Sequence, residues 1–342
     1  MRLLRAPDDG TPPRSGIVAD VRRVLRWIAI VFGGLVGVIV LWLVFLLVTN
    51  PSPQTRDRWQ LLDDMPDPRG EVAADVVDDR MIVAGGLRGL TTTSRAVSAL
   101  ADGVWTRGPA LPEGRHHAAG AGLDGAFYLS GGAASVRDWT PLANLWRLRP
   151  GGGWELLSDM PDGRQGHDMV ALDGKLYVIG GVGGADVLIY DPLRGWTRGA
   201  PIAVARDHLR AVAWESEIWA LAGRVDGAPQ TRVDVYDPAD DTWRPGPSLP
   251  EPMSAMAVGV LGDELHVVGG EDPGLFGGVI DDHVVLREGS NAWTPGEPAP
   301  LHVHGAGGAV MDERLIVAGG AARQGGFSVL SWTRVTQAFG PR

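Results

Sequence analysis

Histidines and acidic or basic partners are concentrated at a few places in this sequence. Six of the eight histidines fall in a short window that recurs along the chain: His116, His117, His167, His208, His302 and His304. Glu71, Arg115 and Arg206 fall in the same window. Imidazole and carboxylate groups can perform general acid–base chemistry, because an imidazole exchanges a proton near neutral pH. They can equally hydrogen-bond a peptide or an anionic or sugar ligand.

Metal binding is the other chemistry that histidines serve, and the spacing along the chain does not favour it. The sequence has no HExxH motif, and His302 and His304 form its single His-x-His pair. It also contains no cysteine, which excludes disulfides and thiolate metal sites. We therefore expect no metal ligands and no cofactor.

Two further candidate binding residues, Asp138 and Trp139, lie in the polar segment Ala133–Asn144. An aromatic side chain in a polar loop favours contact with a sugar or a protein partner. A second long segment, Glu271–His283, contains two adjacent aspartates, a pattern typical of a solvated acidic loop rather than of a calcium site.

The elements that carry these residues repeat along the chain. A strand-like run ends in a glycine pair five times and in a degenerate copy once: Gly85, Gly131, Gly180, Gly223, Gly269 and Gly319 mark them. Tryptophans recur at intervals of 42 to 50 residues: Trp59, Trp105, Trp154, Trp196, Trp243 and Trp293. Periods of this length are typical of solenoids and propellers. With room for four short strands per repeat, the pattern predicts an all-β, six-bladed β-propeller.

Aligning the repeats on the glycine pair brings the chemical residues into register. One position holds Arg69, Arg115, Arg164 and Arg206, and two residues later the six repeats hold Glu71, His117, Gly166, His208, Ala255 and Gly305. This position precedes the first, innermost strand of each blade, so the loops should meet around the axis. We expect Glu71, His117 and His208 to share one opening and the repeated arginines to pair with acids or carbonyls between blades.

The glycine pair, the Tyr-Asp-Pro at Tyr190 and Tyr236, and the Met-Pro-x-x-Arg at Met65 and Met160 resemble the kelch repeat. The resemblance covers about 59–335, although the fourth repeat departs from it at the glycine pair. It implies a binding module for a protein or a glycan. Some six-bladed bacterial kelch proteins resemble sialic acid mutarotases, which leaves open a sugar epimerase that uses Glu71, His117, His208, Arg115 and Arg206. A copper radical oxidase of the galactose oxidase type needs a Tyr–Cys cross-link, and this sequence has no Cys.

The N-terminal region predicts a membrane anchor. Residues 27–48 contain no charged side chain, and a helix of that length covers about 33 Å, enough for a hydrocarbon core of about 30 Å. Six arginines precede this segment and two follow it within 49–68, so the positive-inside rule places residues 1–26 in the cytoplasm and the propeller outside. Gly33 and Gly37 form a GxxxG spacing that permits weak helix dimerisation.

The resulting division is a cytoplasmic tail (1–26), a signal anchor (27–48), a linker (49–58), the propeller (59–335) and a C-terminal tail (336–342). The propeller should close when the strand Arg58–Leu62 completes a sixth blade whose third strand is Phe327–Val335, leaving no free edge. The linker enters before a fourth strand, so the face of the 4→1 and 2→3 loops should point away from the bilayer. A net charge of −10 argues against binding to a nucleic-acid backbone, and we expect no nucleic-acid partner.

Overall fold

The computed structural model describes residues 15–48, 51–274 and 277–341 and divides into two units, Met1–Asn50 and Pro51–Arg342. The first unit contains one helix, Ser15–Val48. This helix begins twelve residues before the predicted anchor, because the arginine-rich segment before Trp27 contains good helix formers and no proline. The rest of the predicted cytoplasmic tail, residues 1–14, lies outside the described residues.

The helix contains a stretch, Arg23–Trp42, that is long and apolar enough to be a membrane anchor or a signal sequence. Its side chains are exposed within the described chain. A Cβ atom added at Gly33 or Gly37 would meet nothing within 4 Å. Dimerisation through these two glycines stays a prediction.

The second unit is a six-bladed β-propeller, which confirms the fold predicted from the repeats. Each blade is a four-stranded antiparallel sheet, numbered here from strand 1 at the axis to strand 4 at the rim. Strands 1 to 4 of blade 1 are Ala73–Val77, Arg80–Ala84, Val97–Ala101 and Val104–Arg107. Those of blade 2 are Ala119–Leu123, Ala126–Ser130, Leu145–Leu148 and Trp154–Leu156. Those of blade 3 are Gln165–Leu172, Lys175–Val182, Asp186–Asp191 and Gly195–Pro201.

Blades 4 to 6 follow the same order. Blade 4 comprises Arg210–Trp214, Glu217–Leu221, Val233–Asp237 and Thr242–Pro245. Blade 5 comprises Ala257–Leu261, Glu264–Val268, His283–Arg287 and Thr294–Pro295. Blade 6 comprises Gly307–Met311, Arg314–Ala318, Thr336–Phe339 and, from the start of the unit, Trp59–Leu62. The 2→3 connections also contain two short hairpins, Leu87–Arg88 with Thr92–Thr93 and Arg224–Val225 with Ala228–Pro229, and the 3₁₀ helix Gly325–Leu330.

The ring closes in blade 6 as predicted, but with a different third strand. Trp59–Leu62 pairs with Thr336–Phe339, so that Trp59 lies opposite Phe339. The prediction of Phe327–Val335 as this strand was wrong, and residues assigned to a C-terminal tail belong to the propeller. Phe339 is buried against Trp59, whereas Phe327 is 37% exposed. The strand therefore begins at Thr336 instead of Phe327, nine residues further along the chain, and this places Phe339 in the buried contact with Trp59.

Adjacent blades are held together by apolar clusters and by tryptophan. Six clusters of buried side chains lie at the six blade-to-blade interfaces. The six repeated tryptophans also bridge blades, since each indole N–H donates to a backbone carbonyl at or just after the fourth strand of the preceding blade. Their acceptors, at 2.9 to 3.1 Å, are Glu297, Asp63, Pro109, Ser158, Ala200 and Pro247.

The glycine pair is required by the approach of the next blade. The N–H of Gly86 donates to the carbonyl of Arg115 in blade 2 at 2.7 Å, and the equivalent bond recurs in all six blades. A Cβ on Gly85 would lie 2.6 Å from that same carbonyl oxygen, and its φ is +69°. A side chain here would therefore push neighbouring blades apart.

Candidate functional site

Six backbone hydrogen bonds encircle the propeller axis on the face of the 4→1 and 2→3 loops. The six residues of this axial ring are Glu71, His117, Gly166, His208, Ala255 and Gly305. Each N–H donates to the carbonyl of the ring residue in the preceding blade, at 2.7 to 3.2 Å. The N–H of Glu71 closes the ring by donating to the carbonyl of Gly305. The ring thus joins all six blades through main-chain atoms alone.

All six ring residues have a left-handed backbone, with φ between 52° and 60°. Only glycine adopts this region without a steric cost, and two of the six positions are glycine. Non-glycine residues with positive φ are concentrated at functional sites, where the surrounding structure holds them. The left-handed backbone therefore lowers the stability of the ring at the positions where it holds a glutamate and two histidines near the axis.

The structure brings Glu71, His117 and His208 together, although they come from blades 1, 2 and 4. One potential ligand atom from each residue lies within 4.8 Å of the other two. His117 Nε2 is 3.5 Å from Glu71 Oε2, and the His117 and His208 ring centroids are 4.8 Å apart. We call these three residues the axial triad.

Each histidine of the triad has a partner one residue before it. His117 Nδ1 lies 2.6 Å from His116 Nδ1, and His208 Nδ1 hydrogen-bonds the Asp207 carboxylate. Arg224 also binds this carboxylate, with Nε 2.9 Å from Asp207 Oδ1. These contacts fix the orientation of both imidazole rings.

A second layer of charged residues lies around the triad. His304 Nδ1 is 3.5 Å from Glu71 Oε1, and its Nε2 is 3.5 Å from Glu271 Oε2. Glu271 is also 3.9 Å from Arg224, and it accepts a hydrogen bond from the N–H of Gly325 at 2.7 Å. The network therefore joins three carboxylates, one guanidinium and four imidazoles on one face.

Trp139 covers one side of this network. Its ring lies 4.7 Å from His116 and 5.0 Å from His117, measured between centroids, while 47% of the side chain is exposed. The indole N–H donates to the Val136 carbonyl within the same loop, and Gln165 donates to the Trp139 carbonyl. The loop is thus fixed with an aromatic face beside the triad.

The surroundings set opposite charge states for neighbouring groups. Burial raises the pKa of Glu71, but His117, His304 and His208 lower it by more, so the pKa lies well below 4.5. Burial lowers the pKa of His117 to about 3 despite the nearby Glu71. For His304, burial is outweighed by the hydrogen bond to Glu71 and the charge of Glu271, and its pKa is raised. At neutral pH the face thus combines a carboxylate with a neutral imidazole.

The space at the triad is small. The cavity that touches Glu71, His117 and His208 has a volume of about 30 Å³. That is room for about one water molecule or ion. Behind it, the first strands line a channel of about 320 Å³ in which Asp75, Asp168 and Arg210 bond to backbone groups of neighbouring blades.

Several residues predicted for the site lie away from the triad's opening or only at its edge. His167 is buried, lines the small cavity and bonds Ser130 Oγ at 2.8 Å, and burial lowers its pKa to about 3. His302 is half-buried, and burial lowers its pKa. Asp138 accepts a hydrogen bond from the backbone of Thr140 in its own loop.

The repeated arginines bond within their own blades rather than between blades. Arg206 donates to Ala220 and Ala222 carbonyls and to Asp234 Oδ2, and Arg115 donates to Asn144 Oδ1 and to its own loop. Both side chains are buried. Among the described residues, the hydrogen bonds of these two arginines include none to the axial triad.

Asp207, Arg224 and Glu271 were not predicted as site residues, although the repeat contains a signal for them. Arg224 and Glu271 both directly follow a glycine pair or its degenerate copy, and each pairs as an isolated bridge with the residue before a ring position. Asp207 pairs with Arg224 in this way, and His304 occupies the position equivalent to Asp207. Aligning the residue before each ring position and the residue after each glycine pair would therefore have identified the second layer.

Comparisons with known proteins agree with this architecture. The family model described as the Kelch motif matches residues 205–250. The chain is 26% identical over 279 residues to Kelch repeat protein M-T8 of Myxoma virus (strain Lausanne), covering 80% of this chain and 45% of that protein. It is 36% identical over 87 residues to Kelch-like protein 33 of Homo sapiens, covering 25% of this chain and 16% of that protein. The chain thus spans less than half the length of these relatives.

Among solved structures, that of YjhT superposes on 80% of this chain and 95% of its own length, with a TM-score of 0.70 and 18% sequence identity. At this identity the similarity concerns the fold.

Proposed function

Because the chain is a kelch-repeat protein with a six-bladed propeller, we propose that it is a binding module whose 4→1/2→3 face takes a protein or glycan ligand. The observation that carries the proposal is the axial triad beside the exposed ring of Trp139 on one rigid face. A fixed aromatic ring next to buried hydrogen-bonding groups is typical of the centre of a recognition surface.

The shape of the site supports binding over enclosed catalysis. The cavity at the triad is about 30 Å³, whereas small-molecule sites usually enclose about 300 Å³ or more. A ligand on this face would therefore lie across the opening, stack on Trp139 and reach the triad with one polar group. Specificity would come from the unequal 2→3 loops.

The test uses the full-length chain in detergent, screened against a glycan array and by cross-linking in membranes. We expect at least one ligand to bind, and the amount bound or cross-linked should fall at least tenfold in Trp139→Ala and in a Glu71→Gln/His117→Gln double variant. The matched control is Leu193→Ala, since Leu193 is an exposed apolar side chain in the 3→4 connection of blade 3, on the opposite face of the propeller. Equal retention by all variants would refute this face as the binding surface.

A sugar epimerase or mutarotase is the second candidate function. The Glu71 carboxylate provides a base, and His304, whose pKa is raised, provides an acid with its Nδ1 3.5 Å from Glu71 Oε1. Proton NMR exchange spectroscopy on sialic acid and common hexoses would detect interconversion of the anomers that is faster than without the protein. Acceleration that disappears in Glu71→Gln would favour the enzyme, and no acceleration for any sugar would remove it.

We also propose that the N-terminal helix anchors the chain in the lipid bilayer with residues 1–26 in the cytoplasm and the propeller outside it. The support is the excess of arginines before the uncharged segment 27–48, six within residues 1–26 against two within 49–68. Fusion of alkaline phosphatase to the C-terminus should give an active enzyme, because this reporter folds only outside the cytoplasm. Exchanging Arg22, Arg23 and Arg26 for glutamine should reduce that activity.

A further inference from the structure

We propose that the axial triad, Glu71, His117 and His208, binds one divalent transition-metal ion of the zinc class on the propeller axis. Two imidazoles and one carboxylate are donors that such ions accept, and three protein ligands leave a further coordination position open. The three potential ligand atoms lie within 4.8 Å of one another, and the cavity they line is of the size of one ion or water. This inference does not depend on the ligand proposed above.

The ring nitrogen of His117 that does not face Glu71, Nδ1, already has a hydrogen-bond partner, as in known metal sites. Metal-bound histidines nearly always donate their other ring N–H to a neighbouring group, which fixes the ring and its tautomer. His117 Nδ1 lies 2.6 Å from His116 Nδ1. With the proton of this bond on His117, its Nε2 has a free lone pair directed towards Glu71.

His208 has the corresponding arrangement with a carboxylate. Its Nδ1 donates to Asp207, which leaves Nε2 as the ligand atom. One guanidinium nitrogen of Arg224 lies 2.5 Å from Nδ1 and 2.9 Å from Nε2, so it lies over the face of the ring. The in-plane lone pair of Nε2 therefore does not point at Arg224.

A separate observation comes from His304. Its side chain is 2% exposed, and its Nδ1 lies 3.5 Å from Glu71 Oε1, which is long for a hydrogen bond between these groups. Its Nε2 is 2.9 Å from the Arg323 carbonyl, which requires a proton on that nitrogen. The contacts from His117 Nε2 and His304 Nδ1 to the Glu71 carboxylate are thus both 3.5 Å long, and a cation beside Glu71 would give this buried carboxylate a closer partner.

The charge around the triad also suits a cation. Glu71, Asp207 and Glu271 contribute three carboxylates, which outnumber the Arg224 guanidinium and the His304 imidazole that contact them. A cation would reduce this excess of negative charge, whereas an anion would add to it.

The experiment is a titration of the full-length chain in detergent, stripped with EDTA, with ZnCl₂ in a calorimeter and with CoCl₂ in a spectrophotometer. We expect one ion per chain and visible cobalt bands of a four- or five-coordinate site. Glu71→Gln, His117→Gln and His208→Gln should each weaken zinc binding at least tenfold. Asp207→Asn should weaken it less, because Asp207 positions a ligand without being one.

The matched control is His302→Gln, a histidine of the same recurring window that lies outside the triad, and it should change affinity less than twofold. If Glu71→Gln fails to fold, Glu71→Asp replaces it, since the shorter side chain withdraws the carboxylate and keeps its charge. No saturable binding, binding that all triad variants retain, or an equal loss in His302→Gln would each overturn the proposal.

Discussion

At the scale of single residues, the axial ring shows side-chain chemistry placed on an unfavourable backbone. A left-handed conformation costs an L-residue about 1–2 kcal/mol. Glycine avoids this steric cost, but it loses more conformational entropy on folding, so the net advantage of glycine is smaller. Glu71, His117 and His208 accept this cost at a position that brings their side chains together across three blades. Ala255 accepts it with no polar group to place there.

Ala255→Gly should therefore stabilise the protein by about 0.5 kcal/mol, because it relieves the left-handed strain at no chemical loss. Gly166→Ala should destabilise it by about 1–3 kcal/mol, since the new Cβ would lie 3.0 Å from His208 Nδ1. Urea denaturation measures both changes. Destabilisation by Ala255→Gly would show that the ring is not strained.

Asp75 gives a second prediction at this scale. Burial raises its pKa to about 6, with Asp168 adding to the effect, although hydrogen bonds from the N–H groups of Gly122 and Val76 lower it. The folded state then holds this proton more tightly than the unfolded state, whose pKa is near the ordinary 3.8. The contribution of Asp75 to stability therefore falls as pH rises from about 4 to about 6.

Asp75→Asn should remove that dependence, so the variant should gain stability relative to the native chain between pH 4 and pH 7. A pKa shift from 3.8 to about 6 corresponds to about 3 kcal/mol of stability. Melting temperatures of both proteins over this range provide the measurement. A constant difference at all pH values would contradict the assignment.

At the scale of elements, one strand from the start of the propeller unit closes the ring. Trp59–Leu62 forms the outer edge of blade 6, and Trp59 is 5% exposed in the cluster between blades 5 and 6. Its indole also bonds the Glu297 carbonyl. This short strand thus contributes a buried indole and an inter-blade hydrogen bond to the last interface.

Trp59→Ala should destabilise the propeller by about 3–5 kcal/mol through the lost apolar contact and the cavity that it leaves. Leu61→Ala, in the same strand but 50% exposed, should change stability by less than about 0.5 kcal/mol. Denaturant titration followed by tryptophan fluorescence compares the two. Similar losses for both would mean that the strand acts through its backbone alone.

At the scale of the whole molecule, the chain consists of an apolar helix and a propeller whose ring is closed within residues 51–342. Each of the six interfaces in that ring has its own apolar cluster and its own tryptophan bridge. The propeller therefore has every interface that its closure requires without the helix.

Removal of residues 1–48 should give a β-rich protein that stays in the supernatant after ultracentrifugation, while the full-length chain should sediment with membranes. Circular dichroism and fractionation check these outcomes. A truncated chain that is helical or aggregated would contradict a self-contained propeller, and a soluble full-length chain would contradict the anchor.

The sequence by itself determined the number of blades, the closure of the ring and the ring position shared by Glu71, His117 and His208. These follow from local patterns: the glycine pair marks where two backbones must approach, and the tryptophan marks a recurring interface. Such patterns repeat in every blade, so six copies in register specify the architecture.

The tertiary structure alone decided how the repeated position is used. The contacts of the triad join three blades, and its partners Asp207, Arg224, Glu271 and His304 reach it across loops of different length. The true third strand of blade 6 was likewise decided by the burial of Phe339 against Trp59. Contacts between distant segments depend on packing and side-chain orientation, which no local repeat encodes.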